Sequence, residues 1–369
     1  MKIILLSAGS VSAFLSLKLK SVLESRGHEI RHYFTKNAQE IVKADCRNKM
    51  GTRQVNHLSI EEEILDWART DGHPVEHIDA VNWADACVVC PADFNIIGKM
   101  ATGIADDFVS TVLAAWLGSC KPLFIAEAMN TMMFRNPVHE ANANALHCLT
   151  RTEFIYPTMK RLACGDFGIG ALADIGTIAN IVEGHRWIRP VQDEYLNMRE
   201  HTGAFSEYLP RFDEPGAFGA KRKHDRHQGV DIYCREASPV YAVEDGEIVD
   251  SYQYTGEAVK CGWWNDTWCI KVRGKSGVVS YGELQMPSVL EKRGFYYKDI
   301  GTKVKAGDLI GYVGAVLPPQ KLRTDIRNHS TSMLHMELRT ECCHMDAWGV
   351  DADRDKRLLD PTPYLKLIK

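Results

Sequence analysis

The sequence predicts a doubly wound α/β domain with a parallel sheet, followed by a mainly antiparallel β domain. The chain has 369 residues, more than one average domain needs, and 45% of them are hydrophobic. Short apolar runs alternate with amphipathic helical stretches in the first half, whereas strand-like runs separated by turns fill the second. We therefore expect a first domain at 1–185, a connector rich in proline, glycine and charge at 186–216, and a second domain at 217–369.

Five apolar runs of the first half predict the strands of the parallel sheet. They are, in order, KIILLSA, EIRHYFT, ACVVCPA, PLFIAEA and EFIYP. A helical stretch follows each run, and the first, SVSAFLSLKLKSVLESRG, has the pattern of an amphipathic helix that ends at Gly27. In such a sheet, ligands bind at the carboxyl ends of the strands.

Charge and cysteine usage limit the partners and the compartment. The formal net charge of −4 gives no global reason to expect nucleic acid or an acidic membrane surface. No apolar run reaches the roughly 18 residues of a membrane span. Several of the eleven cysteines, such as Cys87, Cys90 and Cys269, lie in apolar strand-like runs, which is typical of a reducing compartment. We expect a cytoplasmic protein with no nucleic-acid or membrane partner.

The segment AGSVS, residues 8–12, follows the first predicted strand. It places Gly9, Ser10 and Ser12 before a helix, where backbone N–H groups and hydroxyls suit a phosphate. The segment is not GxGxxG, which favours a mononucleotide over a dinucleotide. An ordinary helix N-cap by Ser10 explains the same residues equally well.

Three later segments carry a family resemblance. HIDAVNWADACVVCPADFNIIGKMATGIADDFVSTVL, AEAMNTMMFRNP and RLACGDFGIGALAD resemble, in order and spacing, the flavin-dependent cysteine decarboxylases. This is the family of phosphopantothenoylcysteine decarboxylase and of the lantibiotic-type peptidyl-cysteine decarboxylases. The resemblance implies a domain that binds FMN and assembles as homotrimers, with the flavin between subunits. It also implies a substrate that ends in cysteine, either a small molecule or a peptide.

The resemblance implies two sets of site residues. Seven positions match the family's cofactor site: Gly9, Ser10, Ser12, Thr35, Asn95, Ser110 and Met129. Three positions match its catalytic residues: His77, Asn130 and Cys164. In the family, FMN accepts a hydride from the thiol-bearing carbon, and the thioaldehyde so formed lets the carboxylate leave as CO2.

The residue types suit that chemistry. Asn130 can orient a carboxylate without neutralising it, and His77 can move a proton near neutral pH. A cysteine at the place of Cys164 serves the family in reducing the enethiol again, so its presence favours a saturated thiol product.

The sequence departs from the family beside the expected flavin. The stretch PADFNI has Asp93 and Phe94 in place of small residues, and Glu127 stands where the family has a proline. An acid near the flavin would disfavour its anionic reduced form. The resemblance therefore does not fix the substrate.

The second half contains a candidate metal site. HQGVD gives His227 and Asp231 in H-x3-D spacing, and His335 follows about a hundred residues later in SMLHMEL. Two imidazoles and one carboxylate suit a zinc site that keeps an open position. RHQGVDIY, PVYAVEDGEIV, KVKAGDLIGYVG, MLHMEL and LLDPTPYL resemble, in order, the lysostaphin and LytM type zinc endopeptidases. This resemblance implies that His227, Asp231 and His335 hold the zinc.

Two histidines that the peptidase family uses to activate water are replaced here. Met333 and Glu283 stand at their places, and methionine cannot transfer a proton. One hypothesis is a zinc-holding remnant used for binding or assembly. The other is a peptidase in which Glu283 is the general base, with Tyr281, His329 or His344 stabilising the oxyanion.

The leading hypothesis is an FMN-dependent decarboxylase of a cysteine carboxylate, fused to a zinc-binding peptidase-like domain that is catalytically impaired. An alternative is a zinc metallopeptidase or a peptidoglycan- or peptide-binding protein of phage origin that uses the flavin fold as a scaffold. A third hypothesis is a peptide-tailoring protein in which one domain trims and the other decarboxylates.

Overall fold

A computed structural model gives the fold of the chain and describes residues 1–50, 75–149, 151–196, 204–223, 225–318, 332–343 and 355–368. The chain divides into two compact units, Met1–Gly184 and His185–Lys369. No helix within these described ranges is long and apolar enough to cross a membrane.

A five-stranded parallel sheet forms the centre of the first unit. Its strands are β1 (Lys2–Ser7), β2 (Glu29–Phe34), β3 (Ala86–Ala92), β4 (Leu123–Glu127) and β5 (Thr152–Ile155). They lie in the order β2-β1-β3-β4-β5. Every residue of β3 and β4 is buried, as expected for a parallel sheet that is covered on both faces. The predicted fold class and all five predicted strands are confirmed.

The described helices of the first unit cover this sheet. They are α1 (Leu15–Ser25), α2 (Lys36–Met50), α3 (Glu76–Trp83), α4 (Phe94–Thr102), α5 (Phe108–Leu117), α6 (Thr131–Phe134), α7 (Pro137–His147) and α8 (Ile175–Val182). Helix α1 packs against α8, and α3 packs against α5. The larger apolar core, which includes Val89, Phe108 and Trp116, joins the sheet to α3, α4 and α5.

A hairpin follows the fifth strand, where the alternation of strands and helices does not predict one. Its antiparallel strands are β6 (Thr158–Arg161) and β7 (Phe167–Ala171). Because β7 is short and rich in glycine, its sequence has no clear strand period.

An antiparallel sheet dominates the second unit, as predicted. The strands of the unit are β8 (Val230–Tyr233), β9 (Pro239–Tyr241), β10 (Gly246–Thr255), β11 (Thr267–Gly274), β12 (Val278–Leu284), β13 (Lys303–Val304), β14 (Leu309–Tyr312), β15 (Met333–Arg339) and β16 (Leu358–Leu359). The main sheet has the order β13-β10-β11-β12-β15-β16, with β8 also paired to β15, and β9 pairs with β14. Two short helices, α9 (Pro287–Glu291) and α10 (Thr362–Lys366), complete the described part.

The stretch 186–216, predicted as a connector, falls within the second unit in this division. Its described residues bury five apolar side chains, those of Trp187, Val191, Leu196, Phe205 and Leu209. The Trp187 ring stacks on Tyr364 with the ring centroids 4.8 Å apart. The irregular spacing of these apolar residues gives no helix or strand period. The limit between residues 216 and 217 stays a prediction.

Candidate functional sites

The first candidate site lies where β1 and β2 end. Ser10 Oγ lies 3.0 Å from Ser12 Oγ in the loop after β1. Gly9 has no room for a side chain, because a Cβ there would lie 2.9 Å from Asn37 Cβ at the start of α2. Thr35, after β2, caps α2 with its hydroxyl. The expected phosphate-binding residues therefore lie on two neighbouring strand ends, and Ser10 is buried.

Asp93 closes the same edge after β3. It caps α4 by accepting the N–H of Ile96 at 2.8 Å. A Cβ at Gly9 would lie 3.6 Å from Asp93 Oδ2, so this acid adjoins the loop after β1. Burial raises the pKa of Asp93, although the backbone N–H groups of Ile96 and Asn95 oppose the shift. Asn95 itself is exposed in the first turn of α4.

Ser110 is 2% exposed and its hydroxyl takes part in a capping box at the start of α5. The Ser110 N–H donates to Asp107 Oδ1 at 2.7 Å, and the Asp107 N–H donates to Ser110 Oγ at 3.0 Å. These reciprocal bonds satisfy two N–H groups at the helix start. Any contribution of Ser110 to cofactor binding therefore adds to a structural role.

Asn130 and Cys164, two of the predicted catalytic residues, lie together. Asn130 caps α6, because its Oδ1 accepts the N–H of Met132 at 2.9 Å. Its Nδ2 then faces Cys164 Sγ at 3.4 Å. Cys164 is exposed at the tip of the β6–β7 hairpin, and its Sγ lies 3.6 Å from Asp166 Oδ2. An amide, a thiol and a carboxylate are thus in contact.

Two glycines let the hairpin approach the loop that carries Asn130. The Met129 N–H donates to Gly170 O at 2.9 Å, and Thr131 Oγ1 donates to a carbonyl of β7 at 2.7 Å. A Cβ at Gly168 would lie 2.3 Å from Thr131 Oγ1, and one at Gly170 would lie 1.9 Å from Met129 O. Any side chain at either glycine would push the hairpin away, which explains why FGIGA is rich in glycine.

His77 lies on a separate element, in the first turn of α3. Helix α3 leads into β3, so as a crossover helix it begins at the edge of the sheet where the parallel strands end. An ion pair holds the same turn, with Arg31 Nη1 2.8 Å from Asp79 Oδ2. The structure thus joins Asn130 to Cys164 and places His77 on a different helix.

Glu127 and Phe94, two residues that differ from the decarboxylase family pattern, both lie against His139. His139 Nε2 lies 3.0 Å from Glu127 Oε1, and both side chains are at most 5% exposed. Burial raises the pKa of Glu127, and the neighbouring His139 opposes that shift. The Phe94 ring lies beside His139 with the ring centroids 6.2 Å apart. A buried polar pair therefore replaces the proline-containing end of β4.

The second candidate site joins β8 to β15. The two strands are antiparallel, and their register sets Asp231 opposite His335. His227 precedes β8, and the three residues are buried with ligand atoms within 4.8 Å of one another. A Cβ at Gly229 would lie 2.7 Å from His335 Cε1, so the glycine of HQGVD makes room for that ring. The structure therefore brings the three predicted metal ligands together.

Hydrogen bonds fix which ring nitrogens face the centre of this group. His227 Nδ1 donates to Ala217 O at 2.9 Å, and His335 Nε2 donates to Glu337 Oε1 at 3.1 Å, because both acceptors can only accept. The remaining nitrogens, His227 Nε2 and His335 Nδ1, lie 3.1 Å apart, with Asp231 Oδ1 2.8 Å from His335 Nδ1. Electron pairs that converge in this way require a cation or a proton between them.

The histidines and carboxylates of this site shift one another's pKa values. Burial alone would lower the pKa of His335, but hydrogen bonds and charge from Asp231 and Glu337 raise it to about 10. Burial would raise the pKa of Asp231, yet the two histidines hold it well below its usual range. Arg222 Nη2 donates to Asp231 Oδ2 at 3.2 Å, which leaves Oδ1 for the centre.

Glu283 lies near this group without belonging to it. Its φ of 62° is left-handed, which is strained for a residue with a side chain. Burial, followed by the charge of Asp231, raises the pKa of Glu283 to about 8. Tyr281 does not fit the oxyanion role, because its fully buried hydroxyl accepts the Val243 N–H at 2.9 Å. His329 and His344 lie outside the described residues.

Three further residues of these sites carry no assignment from the sequence. Glu337 orients His335, Arg222 holds Asp231, and Asp166 contacts Cys164. Only Glu337 has a signal in the sequence, because strand alternation sets it on the same face as His335.

Two family models match the chain. The Flavoprotein family model matches residues 1–186, and the model of peptidase family M23 matches residues 225–347.

Curated relatives cover about half of the chain. It is 36% identical over 182 residues to the phosphopantothenoylcysteine decarboxylase of Arabidopsis thaliana, which covers 49% of this chain and 83% of that relative. It is 32% identical over 186 residues to a probable thymidylate synthase of Schizosaccharomyces pombe, but spans only 29% of that relative's length. Among solved structures, a PPC decarboxylase mutant complexed with pantothenoylaminoethenethiol is 32% identical, with a TM-score of 0.43, and the match covers 49% of this chain and 96% of that one.

Proposed function

Since this chain belongs to the Flavoprotein family and its second half carries a peptidase family M23 domain, we propose that it is an FMN-dependent decarboxylase of a cysteine carboxylate fused to a zinc-binding domain. The observation that carries the proposal is the contact of Asn130 Nδ2 with Cys164 Sγ at 3.4 Å. It puts a carboxylate-binding amide beside a thiol at the edge of the sheet where ligands bind.

The strand ends fit the phosphate and sugar of FMN. Gly9 lets the loop after β1 pack closely against the start of α2, and the hydroxyls of Ser10 and Ser12 lie in the same loop. Thr35 lies at the start of α2, and the N-terminal end of a helix favours an anion. Asn95 and Met129 complete the proposed cofactor site at the ends of the next two strands.

When bound, FMN would supply the hydride acceptor for the thiol-bearing carbon of the substrate. The chain's own residues bind the substrate carboxylate and transfer protons. Asn130 Oδ1 is engaged in capping α6, so its amide N–H groups are the part that can bind a substrate carboxylate. We assign proton transfer to His77 and, for a saturated product, to Cys164.

We propose a substrate that ends in cysteine, either a small pantothenoyl-like molecule or a peptide. The Arabidopsis relative named phosphopantothenoylcysteine decarboxylase supports the small molecule. The buried Glu127–His139 pair and Phe94 differ from the family pattern, so a different substrate remains compatible with the site.

Exposed apolar side chains in the loop after β1 and on the helices after β4 support a homotrimer in which neighbouring copies complete the flavin site. Met132 is 80% exposed and Val138 is 58% exposed, while Val11 is 65% exposed in the loop after β1. Ten cysteines whose side chains the structure describes are free thiols, which supports a cytoplasmic location.

Zinc fits the donor set of the second unit, because two imidazole nitrogens and one carboxylate oxygen converge from β8, β15 and the loop before β8. We propose that this domain holds zinc for binding or assembly, since Met333 cannot replace a proton-transferring histidine. Bound zinc would act as a Lewis acid.

The buried Glu283 favours peptide hydrolysis as a second candidate function. Cleavage of a glycine-rich peptide that stops in Glu283→Gln would establish the peptidase.

An absorbance spectrum and a metal analysis of one preparation test both assignments. The expected result is about one FMN and one zinc per chain. A colourless protein that takes up no FMN would instead support a peptide-binding protein with the flavin fold as scaffold.

A further inference from the structure

We propose that Asp166 is a further positioning residue of the decarboxylase site, which accepts the thiol hydrogen of Cys164 and passes a replacement proton from water to its sulfur. This inference rests on the proposed function. It deepens that function by assigning the route by which the proton consumed in the reaction enters the site.

The direction of the hydrogen bonds follows from the cap of α6. Asn130 Oδ1 accepts the Met132 N–H at 2.9 Å, so Asn130 Nδ2 is the atom that faces Cys164 Sγ. An amide N–H can only donate, and the sulfur is therefore an acceptor toward Asn130. The S–H bond must point elsewhere. Asp166 Oδ2, 3.6 Å from the sulfur, is a carboxylate oxygen and can only accept.

The hairpin tip holds Cys164 and Asp166 at a fixed spacing. The Leu162 N–H donates to Asp166 O at 2.7 Å, and the Gly165 N–H donates to Leu162 O at 2.9 Å. Arg161 Nη1 donates to Gly165 O at 2.9 Å. Gly165 has a φ of 92°, which suits glycine and closes the turn between the two residues.

The decarboxylation consumes a proton, which Cys164 can deliver to the substrate. Replacing a carboxylate by hydrogen consumes one proton for each CO2 released, and the two electrons taken from the thiol-bearing carbon return to the product when it is saturated. In that branch the C=C π bond of the enethiol and the Cys164 S–H bond break. The π pair forms a C–H bond with the Cys164 proton, a hydride that bound FMN would return forms the second C–H bond, and the S–H electron pair stays on the sulfur. A water O–H bond then breaks and a new S–H bond forms. Asp166 is exposed, so it can pass that proton between water and the sulfur.

The test compares Asp166→Asn and Asp166→Glu with Glu24→Gln, which removes one surface carboxylate from α1 in the same unit. The first readout needs no cofactor or substrate. It is the rate at which iodoacetamide alkylates Cys164 at pH 7, followed by mass spectrometry of the Cys164 peptide. We expect about a threefold faster rate in Asp166→Asn than in the wild type, and no change in Glu24→Gln.

The second readout is the product ratio of the FMN-loaded protein with a cysteine-ended substrate. We expect the ratio of enethiol to saturated product to rise about tenfold in Asp166→Asn, and Asp166→Glu to restore it in part. Melting temperatures check that the variants are folded.

The outcomes separate the two proposals. A wild type that releases CO2, with the alkylation rate and product ratio unchanged in Asp166→Asn, would overturn the role of Asp166 and leave the proposed function intact. A wild type that releases no CO2 would overturn the proposed function and the proton route together, even if a changed alkylation rate established the contact between Asp166 and Cys164.

Discussion

Glu337 Oε1 lies 3.1 Å from His335 Nε2, so a carboxylate two residues further along β15 fixes which nitrogen of the imidazole faces the candidate metal centre. Glu337 is in turn held by Arg339, whose Nε and Nη2 donate to Glu337 Oε2 at 3.2 and 3.0 Å. Such outer carboxylates orient metal-binding histidines and raise their basicity.

Replacing Glu337 tests this orientation. We expect Glu337→Gln to weaken zinc binding by about 10-fold to 100-fold, because the amide no longer fixes the ring nitrogen that carries the proton. A competitive chelator titration measures the affinity. Glu341→Gln, an exposed change beyond the end of β15, is the matched control and should leave the affinity unchanged. Equal affinities in both variants would contradict the role of Glu337.

Asn130 can be changed without losing its cap. In Asn130→Asp the new carboxylate still accepts the Met132 N–H, but it offers no N–H to the substrate and repels the substrate carboxylate. We expect kcat/KM for CO2 release to fall by about 100-fold or more while FMN stays bound. Asn136→Asp is the control, because Asn136 caps α7 in the same way. Full activity in Asn130→Asp would argue against carboxylate binding at this residue.

Ser110 separates a structural role from a direct contact with the cofactor. Ser110→Ala removes half of the capping box, so we expect the free energy of unfolding to fall by about 1 kcal/mol, with FMN affinity changed less than about threefold. Ser119→Ala removes a hydroxyl near the other end of α5 and serves as the control. Urea denaturation and FMN titration give the two quantities. A tenfold loss of FMN affinity without loss of stability would instead indicate a direct contact.

His32 predicts a loss of stability in acid. Burial, with a smaller contribution from Lys20, lowers the pKa of His32 to about 3, whereas in the unfolded chain it is about 6.5. Between about pH 6.5 and 3 the unfolded chain binds a proton at His32 that the folded chain does not bind. The free energy of unfolding therefore falls as the pH drops from about 6.5 toward 3.

The measurement is urea denaturation of the wild type and His32→Gln at pH 7.5 and 5.5. His32 Nε2 donates to Ser7 Oγ at 2.8 Å, since the Ser7 hydroxyl itself donates to Cys90 O, so the variant is less stable at pH 7.5. We expect the difference in unfolding free energy to narrow by about 1 kcal/mol at pH 5.5. A difference that stays constant between the two pH values would contradict the low pKa.

Local sequence patterns were sufficient for most of the fold. Runs such as ACVVCPA are apolar throughout because both faces of a parallel strand are covered, and they gave the strands of the first sheet. Strand alternation in SMLHMEL puts His335 and Glu337 on one face, and the structure has the two side chains in contact. The β6–β7 hairpin was missed, because its glycines serve close packing against Met129 and Thr131 and carry no strand period.

The sites depended on contacts between residues far apart in the sequence. Asp231 meets His335 only because β8 pairs with β15 across about a hundred residues, and spacing alone gives no such register. The contact of Cys164 with Asp166 depends on the turn at Gly165, whose φ the sequence does not reveal. Glu127 and His139 form a buried pair on separate elements, which neither residue indicates by itself.

The proposed reaction of the first unit is the decarboxylation of a cysteine carboxylate with FMN. Its most direct test is mass spectrometry of a 4'-phosphopantothenoylcysteine-like compound and of a cysteine-ended peptide after incubation with the FMN-loaded protein. We predict that one of them loses about 44 Da, as a saturated thiol, or about 46 Da, as an enethiol. Unchanged masses for both substrates, with FMN demonstrably bound, would contradict the claim.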